Sequence, residues 1–418
     1  MADRDADMAR RIAAAVADAG GRTYYVGGYV RDLLLGLENK DIDIEVHGVT
    51  VPSLAAILDG LGERTAMGAS FGVIGLRHYD IDIAMPRSEK ATGRGHRDFE
   101  VFVDPFIGEK KAALRRDFTM NALMQDVLTG EILDFFGGRA DLAARRIRHV
   151  NDASFAEDPL RVFRAAQFAA RFGFGVADET TAICAGMDVD ALAPERVMGE
   201  LEKALLKAAR PSSFFTELKR MGQLCPWFAA LEALPRAAWE RVMAMLDAAA
   251  VQRPEATEPL GFMLAAACAG FAPDTARGFL ARLTNAVELT RYVINMVQRF
   301  GDVEGYLSQD PGEAGWMALF DGALCPEDLL LLTRAAHAGE PGWPDAQRRL
   351  DGLYALYRER MDRPYVMGRD LMAAGVGSGP EMGRALAYAH GLRLAGADKA
   401  GQLQGTLEWL EWGKDGHA

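Results

Sequence analysis

Several things are missing from this chain, and each absence closes a door. Its 418 residues include only four cysteines, Cys184, Cys225, Cys268 and Cys325, each more than forty residues from the next. None forms a CxxC pair, so a zinc ribbon or disulfide framework is excluded, and the four read as reduced core residues. No GxxxxGK[ST] occurs, which rules out a P-loop nucleotide site. The longest nearly apolar run, Leu260 to Ala272, is too short to span a bilayer, so no membrane span is expected. Acidic Asp3, Asp5 and Asp7 fit neither a secretory signal nor a mitochondrial presequence, and the expected location is the cytoplasm. The seven histidines show no ligand spacing, and no feature points to a protein partner. Positive charge is also in short supply. With 47 Lys and Arg against 59 Asp and Glu, the net charge of −12 argues against a surface coated for unspecific nucleic-acid binding.

What is present reads in two parts. A chain of this length suggests between two and three domains at ~150 residues each. Residues 8 to 19 have helical spacing and stop at Gly20-Gly21. A strand over 23–26 runs into Gly27-Gly28, and a helix is predicted from Tyr29 to Leu35. Lys40 to Val46 alternates apolar and polar residues as a half-buried strand does. Further strands are predicted near 72–76, 79–84 and 99–103. From about residue 141 onward, Ala/Leu/Arg-rich helical windows broken by prolines dominate. An α+β head followed by an all-helical remainder accounts for this pattern.

Two constellations in the head carry chemistry. Gly27-Gly28-Tyr29-Val30-Arg31-Asp32 lies between a strand and a helix. Glycines there let backbone approach a ligand, and free amides at a helix start attract an anion. Arg31, one turn beyond Gly28, is placed to donate to the same anion. A plain turn with a surface Arg–Asp pair is the competing reading. The second constellation is Asp41 and Asp43. On a strand these carboxylates share a face ~7 Å apart, with Glu45 one step further. Hard oxygen ligands side by side suit Mg²⁺, and a two-metal site for phosphoryl transfer in particular. A solvated acidic edge is the competing reading, but crowded like charges repel and a bound cation would relieve them. Asp82, in the alternating segment 79–84, is a candidate third carboxylate.

GGYVRDLLLG followed by DID resembles the polymerase-β-like nucleotidyltransferases, and specifically the bacterial tRNA nucleotidyltransferase/poly(A) polymerase family. Arg115-Arg116-Asp117-Phe118-Thr119-Met120-Asn121-Ala122-Leu123 and Glu157-Asp158-Pro159-Leu160-Arg161-Val162-Phe163-Arg164 carry the same resemblance. So do LTGEILDFFGGRADL (128–142) and PERVMGELEKALL (194–206), and more thinly Val366 to Leu386. The resemblance implies a nucleotidyltransferase catalytic head over 1–143, a helical neck with a base-reading helix over 144–210, and a helical, tRNA-binding body and tail over 211–418. It further implies that Gly28, Arg31 and Arg116 bind the nucleoside triphosphate and that Asp41 and Asp43 hold Mg²⁺. Asp158, Arg161 and Arg164 would form the base-reading helix. Gln167 stands where many members have another Arg. No His is followed by Asp, so the phosphohydrolase domain fused to some relatives has no visible metal dyad.

Base reading also has a physical argument of its own. Cytosine and adenine present an amino donor beside a ring-nitrogen acceptor, whereas uracil and guanine present the reverse. A carboxylate next to a guanidinium, as Asp158 and Arg161 three apart on a helix would be, can accept the first pair and reject the second. The competing reading makes Asp158 a helix cap with Pro159 in the first turn. Charge placement supports the motifs: residues 87–116 hold eight Lys/Arg against five Asp/Glu, and residues 139–171 hold seven against four. A chain that is acidic overall keeps its positive charge where phosphates would lie. The stretch Arg87 to Phe99, with Gly93 and Gly95, reads as a mobile loop over the site; relatives that add all of C, C and A have one there.

The function this implies is template-independent addition of CMP and AMP, from CTP and ATP, to the tRNA 3′ end. Poly(A) polymerase and partial CC- or A-adding activity remain alternatives within the family. Outside it stand a catalytically silent RNA-binding protein and a small-molecule nucleotidyltransferase.

Overall fold

The computed structural model describes residues 2–39, 41–67, 73–91 and 99–414. The chain divides into two compact units, Met1–Ala204 with Ser213–Trp227, and Leu205–Ser212 with Phe228–Ala418.

The first unit opens with α1 (Ala2–Asp18), which buries Met8, Ile12 and Val16 at four-residue spacing against the sheet. It begins six residues earlier than the hydrophobic pattern alone suggests, because Asp3, Asp5 and Asp7 favour a helix N-terminus. There follow β1 (Arg22–Val26), α2 (Gly28–Leu34), β2 (Ile42–His47), α3 (Val51–Leu61), β3 (Arg64–Met67), β4 (Val73–Leu76) and β5 (Ile81–Ala84). Then come β6 (Arg87–Ala91), β7 (Phe99–Val103), α4 (Glu109–Leu114), a 3-10 turn (Thr119–Asn121), β8 (Met124–Asp126) and β9 (Ile132–Leu133). Seven of these strands form one sheet in the order β3-β4-β5-β2-β1-β8-β9. Only the β2–β5 pair within it is parallel. β6 and β7 form a separate antiparallel hairpin. The expected mobile loop has its tip, 92–98, outside the described residues.

Alternation works on β2 as the sequence implies: Ile42, Ile44 and Val46 are buried, while Asp43 and Glu45 are partly exposed on the other face. The strand starts one residue later than expected for Asp41, however. Asp41 donates its backbone N–H to Asn39 Oδ1 at 3.0 Å, so it lies in a side-chain-bonded turn just ahead of the strand. Lys40 lies outside the described residues.

The unit continues with α5 (Gly138–Ala143), β10 (Arg146–Ile147), α6 (Asp152–Ala156), α7 (Leu160–Phe172), β11 (Gly175–Val176), α8 (Asp178–Ala185) and α9 (Pro194–Lys207). α7 buries Val162, Ala166 and Ala169 as expected, and Phe163, Ala165 and Phe168 as well. Phe168 stacks on Phe172 and meets Phe118 edge-on. Arg161, Arg164 and Arg171 are the charged positions this helix leaves partly exposed.

After α10 (Ser212–Arg220) the chain is helical among its described residues. α11 (Ala229–Glu232), α12 (Arg236–Gln252), α13 (Pro259–Ala267), α14 (Pro273–Leu283), α15 (Val287–Ser308), α16 (Gly312–Gly322) and α17 (Pro326–Ala336) come first. α18 (Trp343–Asp362), α19 (Gly368–Ala373), α20 (Pro380–Leu394) and α21 (Lys399–Lys414) complete it. The apolar run at 260–272 is α13, buried from Gly261 to Ala267, and its C-terminal turn. Asp328 in α17, buried completely, accepts from Thr257 N at 2.8 Å, Glu258 N at 3.2 Å and the Tyr292 hydroxyl, tying three helices together. At the end of the chain Val366, Leu371, Ala385, Ala389 and Leu410 form a small separate core, with Tyr388 stacked on Trp409. No described helix is long and apolar enough to cross a membrane.

Candidate active site

The middle of the large sheet brings the two constellations together. β1 ends in Gly27 at φ 66, a left-handed conformation natural to glycine, and Gly28 opens α2. A Cβ on Gly27 would come 3.0 Å from Arg116 Nη1 and 3.7 Å from Asp43 Oδ2. The bare backbone is therefore flanked by a cation and a carboxylate at once, and any side chain there would intrude between them.

Asp43 occupies the centre. In the parallel register Asp43 pairs with Asp82, Ile42 with Ile81 and Ile44 with Ile83, so the two carboxylates share a face on neighbouring strands. Burial pushes the Asp43 carboxyl up to about 6, with the Asp82 charge next in importance. Arg116 pulls the other way, and Asp41 adds a smaller push upward. The carboxylate most felt by Asp43 is thus Asp82, not the neighbour in sequence. Among the described residues no group of three or more His, Cys, Asp or Glu side chains closes into a metal cage.

Glu45 and His47 extend the Asp43 face, and neither was singled out from the sequence beyond Glu45 as an extra charge. Glu45 Oε1 lies 2.8 Å from His47 Nε2, and Oε2 lies 3.5 Å from Arg116 Nη2. Burial raises the Glu45 carboxyl, but His47 and Arg116 together outweigh it and hold it below its ordinary value. Glu45 therefore anchors Arg116 beside Gly27. An acid two residues after an Asp pair and an Arg seventy positions later give no local signal of such a contact.

Arg31 differs from its expected place. It is 3% exposed; its Nε and Nη2 reach Asp32 at 2.7 and 2.6 Å, and its Nη1 donates to Asn121 Oδ1 at 2.7 Å. Its guanidinium also lies over the rings of Phe172 and Phe168, at 4.6 and 5.2 Å. A Cβ on Gly28 would be 3.4 Å from Arg31 Nη2. The charge sits directly behind the glycine turn, and its contacts are internal.

The Arg116-Asp117 segment is pinned from below. Asp117, buried, accepts from Phe118 N at 2.7 Å, Asn121 Nδ2 at 3.0 Å and Arg164 Nε at 2.7 Å. Burial opposes its charge, yet Arg164 and these donors hold the carboxyl below the usual range. Gly138 fits because a Cβ would lie 2.2 Å from Thr119 O, and Asp141 accepts from the Thr119 hydroxyl at 2.8 Å. The FFGGRAD segment is thus a support for the 3-10 turn.

Asp158 and Arg161 point from one end of α7 but are not paired with each other. Asp158 accepts from Leu160 N at 3.1 Å, which realises part of the capping reading, and from Arg196 Nη2 at 3.0 Å. Arg161 donates to the carbonyls of Ser154 and Arg115 at 2.6 and 2.9 Å and lies over the Phe155 ring. A guanidinium has five N–H donors and a carboxylate about four lone-pair directions, so both keep capacity for a further partner. Arg164 is committed to Asp117 at 2.6 Å and lies 3.7 Å from Glu200. Gln167 is 1% exposed, so this position lies in a buried setting, away from solvent.

Known proteins can now be set beside this geometry. Residues 23–148 match the poly A polymerase head domain. The multifunctional CCA protein of Thioalkalivibrio sulfidiphilus is 45% identical over 220 residues, 51% of this chain and 52% of that protein. That of Ralstonia nicotianae is 43% identical over 211 residues, 48% of each. The chain thus spans about half the length of the curated relatives it matches. Among solved structures, the Thermotoga maritima CCA-adding enzyme complexed with tRNA superposes with a TM-score of 0.71 at 23% identity, covering 97% of this chain and 95% of that one. The Bacillus stearothermophilus CCA-adding enzyme in complex with CTP gives 0.72 at 23%, covering 97% of each. The fold is shared along nearly the whole chain, and the resemblance read from the motifs holds.

Proposed function

We infer that this chain adds CMP and AMP to the 3′ end of tRNA, using CTP and ATP, by Mg²⁺-dependent nucleotidyl transfer in the cytoplasm. The observation that carries the reading is Asp43, raised by burial and by Asp82, facing the cation-flanked Gly27-Gly28 turn. Crowded hard oxygen donors of this kind fit a divalent cation, since its charge offsets the repulsion between them. Asp41 and Asp43 would hold it, with Asp82 as a third carboxylate. When bound, the cation supplies charge neutralisation at the α-phosphate and lowers the pKa of the attacking 3′-hydroxyl.

The rest falls to the chain itself. The Gly27-Gly28 backbone and the start of α2 receive the triphosphate, Gly28 by close approach and Arg116 by direct charge. Arg31 contributes its positive field from behind the turn. Asp158 and Arg161 select C and A over U and G, Asp158 exchanging Arg196 for the base, with Arg164 holding the helix. The helical second unit takes the tRNA by shape and backbone, since duplex RNA offers little readable sequence. Relatives named as CCA-adding enzymes, solved with tRNA, ATP and CTP, support the same substrates.

The test is incubation with Mg²⁺ and labelled CTP, ATP, UTP or GTP on tRNAs ending before C, after C and after CC. Two C and one A are expected. Long A tails would make the chain a poly(A) polymerase, and only C or only A a partial enzyme. No incorporation with any acceptor would sink the reading.

A further inference from the structure

Seven side chains in the first unit form one largely buried line that leaves α7 at Arg171, passes behind the glycine turn and returns to α7 at Arg164 before reaching Glu200 of α9. Arg171 lies 3.5 Å from Asp32 Oδ2, and Asp32 holds Arg31 at 2.6 Å. Arg31 donates to Asn121 Oδ1 at 2.7 Å, and Asn121 Nδ2 donates to Asp117 Oδ1 at 3.0 Å. Asp117 Oδ2 receives Arg164, which in turn lies 3.7 Å from Glu200. The signs read plus, minus, plus, neutral, minus, plus, minus. Asp32, Arg31, Asn121, Asp117 and Glu200 are all buried.

Asn121 is the one uncharged member, and it sits where the line would otherwise be a direct ion pair. Its amide faces a cation with its oxygen and an anion with its nitrogen, the only orientation that suits both neighbours. Arg31 keeps Asp32 and Asp117 keeps Arg164 as ion-pair partners, and the amide adds a hydrogen bond to each, so a shift of either changes the bond the other receives. Arg31 backs the turn that opens at Gly28. Arg164 belongs to the helix that begins beside Asp158 and Arg161.

We propose that Asn121 is a positioning residue that couples the triphosphate turn to the start of the base-reading helix, alongside the direct contacts of Arg31 with Phe168 and Phe172 and of Asp32 with Arg171, so that seating of the phosphates and selection of the base both respond to this amide. This rests on the functional reading above. It goes beyond that reading in giving Asn121, which touches neither substrate nor metal there, control over two properties that otherwise belong to separate motifs.

Asn121→Ser removes the bridge at small steric cost. Steady-state CMP addition should then show a KM for CTP raised and a preference for CTP over UTP lowered, each by roughly ten-fold, the scale of coupling carried by such networks. A merely structural role would instead lower the melting temperature and the fraction of active enzyme, leaving both quantities per active molecule unchanged. Asn121→Asp sets a carboxylate against Asp117 and should be worse. Combining it with Asp117→Asn removes that repulsion, restores an acceptor for Arg31 and the original net charge, and should recover part of both properties, since Arg164 then faces an amide in place of a carboxylate. The coupling idea is overturned if Asn121→Ser keeps KM and preference within about two-fold of the unaltered chain. It is also overturned if either property shifts without the other. An unaltered chain that incorporates nothing overturns the functional reading instead, so the two failures are told apart.

Discussion

Charge around Asp43 in the first unit is handled in the opposite way to buried charge in the second. In the first, Asp43 is left with carboxylate neighbours and is pushed up to about 6, while Arg116 is set beside a bare glycine turn. In the second, buried charge is closed off: Asp328 spends its oxygens on two backbone amides and a tyrosine hydroxyl, and His337 lies between Glu304 and Glu340 at 2.7 Å each. A region built for its own stability satisfies its ionisable groups internally. A region that leaves repulsion uncancelled is awaiting something from outside.

Changing Asp43 gives the largest contrast. Asp43→Asn should cut nucleotide transfer on the order of a thousand-fold, the scale for losing a principal electrostatic group. It should also raise the metal-free stability above pH 7 by about 1–3 kcal/mol, seen as a higher melting temperature, because the charged form is the disfavoured one. Calorimetry beside the transfer assay checks both, and a destabilised variant would break the comparison. The same shift makes Mg²⁺ compete with a proton, so half-saturation should weaken as pH falls through about 6.

In the second unit the sign reverses. Asp328→Ala should lower stability by about 3 kcal/mol, since two amides and a buried hydroxyl lose their acceptor. Chemical denaturation measures it, and a neutral outcome would mean water replaces the carboxylate. An intermediate effect belongs to Asp158→Ala, which should reduce preference for C over U by about 1–2 kcal/mol, with transfer of C itself better preserved. Unchanged preference would return Asp158 to capping α7 and pairing with Arg196. The smallest effect is at His337, raised to about 9 chiefly by its bond to Glu304. The stability it adds is full below about pH 6.5 and lost as pH rises through about 9, a difference of order 1 kcal/mol. His337→Phe should flatten that slope.

The glycine turn, the strand that carries Asp43 and the helical remainder were legible because each is written in neighbouring residues. Alternation along 42–47 and the Gly-Gly break need no distant partner. Asp41 was misplaced by one residue because its N–H bonds to the Asn39 side chain and the strand starts only at Ile42. Arg31 read as facing an anion, since spacing along a helix cannot tell a cleft from a pair of phenylalanines 137 and 141 positions away. The pairing of Asp158 with Arg196, and of Arg116 with Glu45, spans 38 and 71 residues, and nothing local announces either. Asp82 stood out only as an alternating acid. Its place opposite Asp43 required knowing that β2 and β5 run side by side in the same direction.

That one parallel pairing has a kinetic consequence. Strands joined by a tight hairpin can zip up locally, but Ile42–His47 meets Ile81–Ala84 only after the intervening chain has crossed over. The two mutually repelling acids are therefore brought together by a long-range closure and not by a local turn, which costs more chain entropy and slows that step.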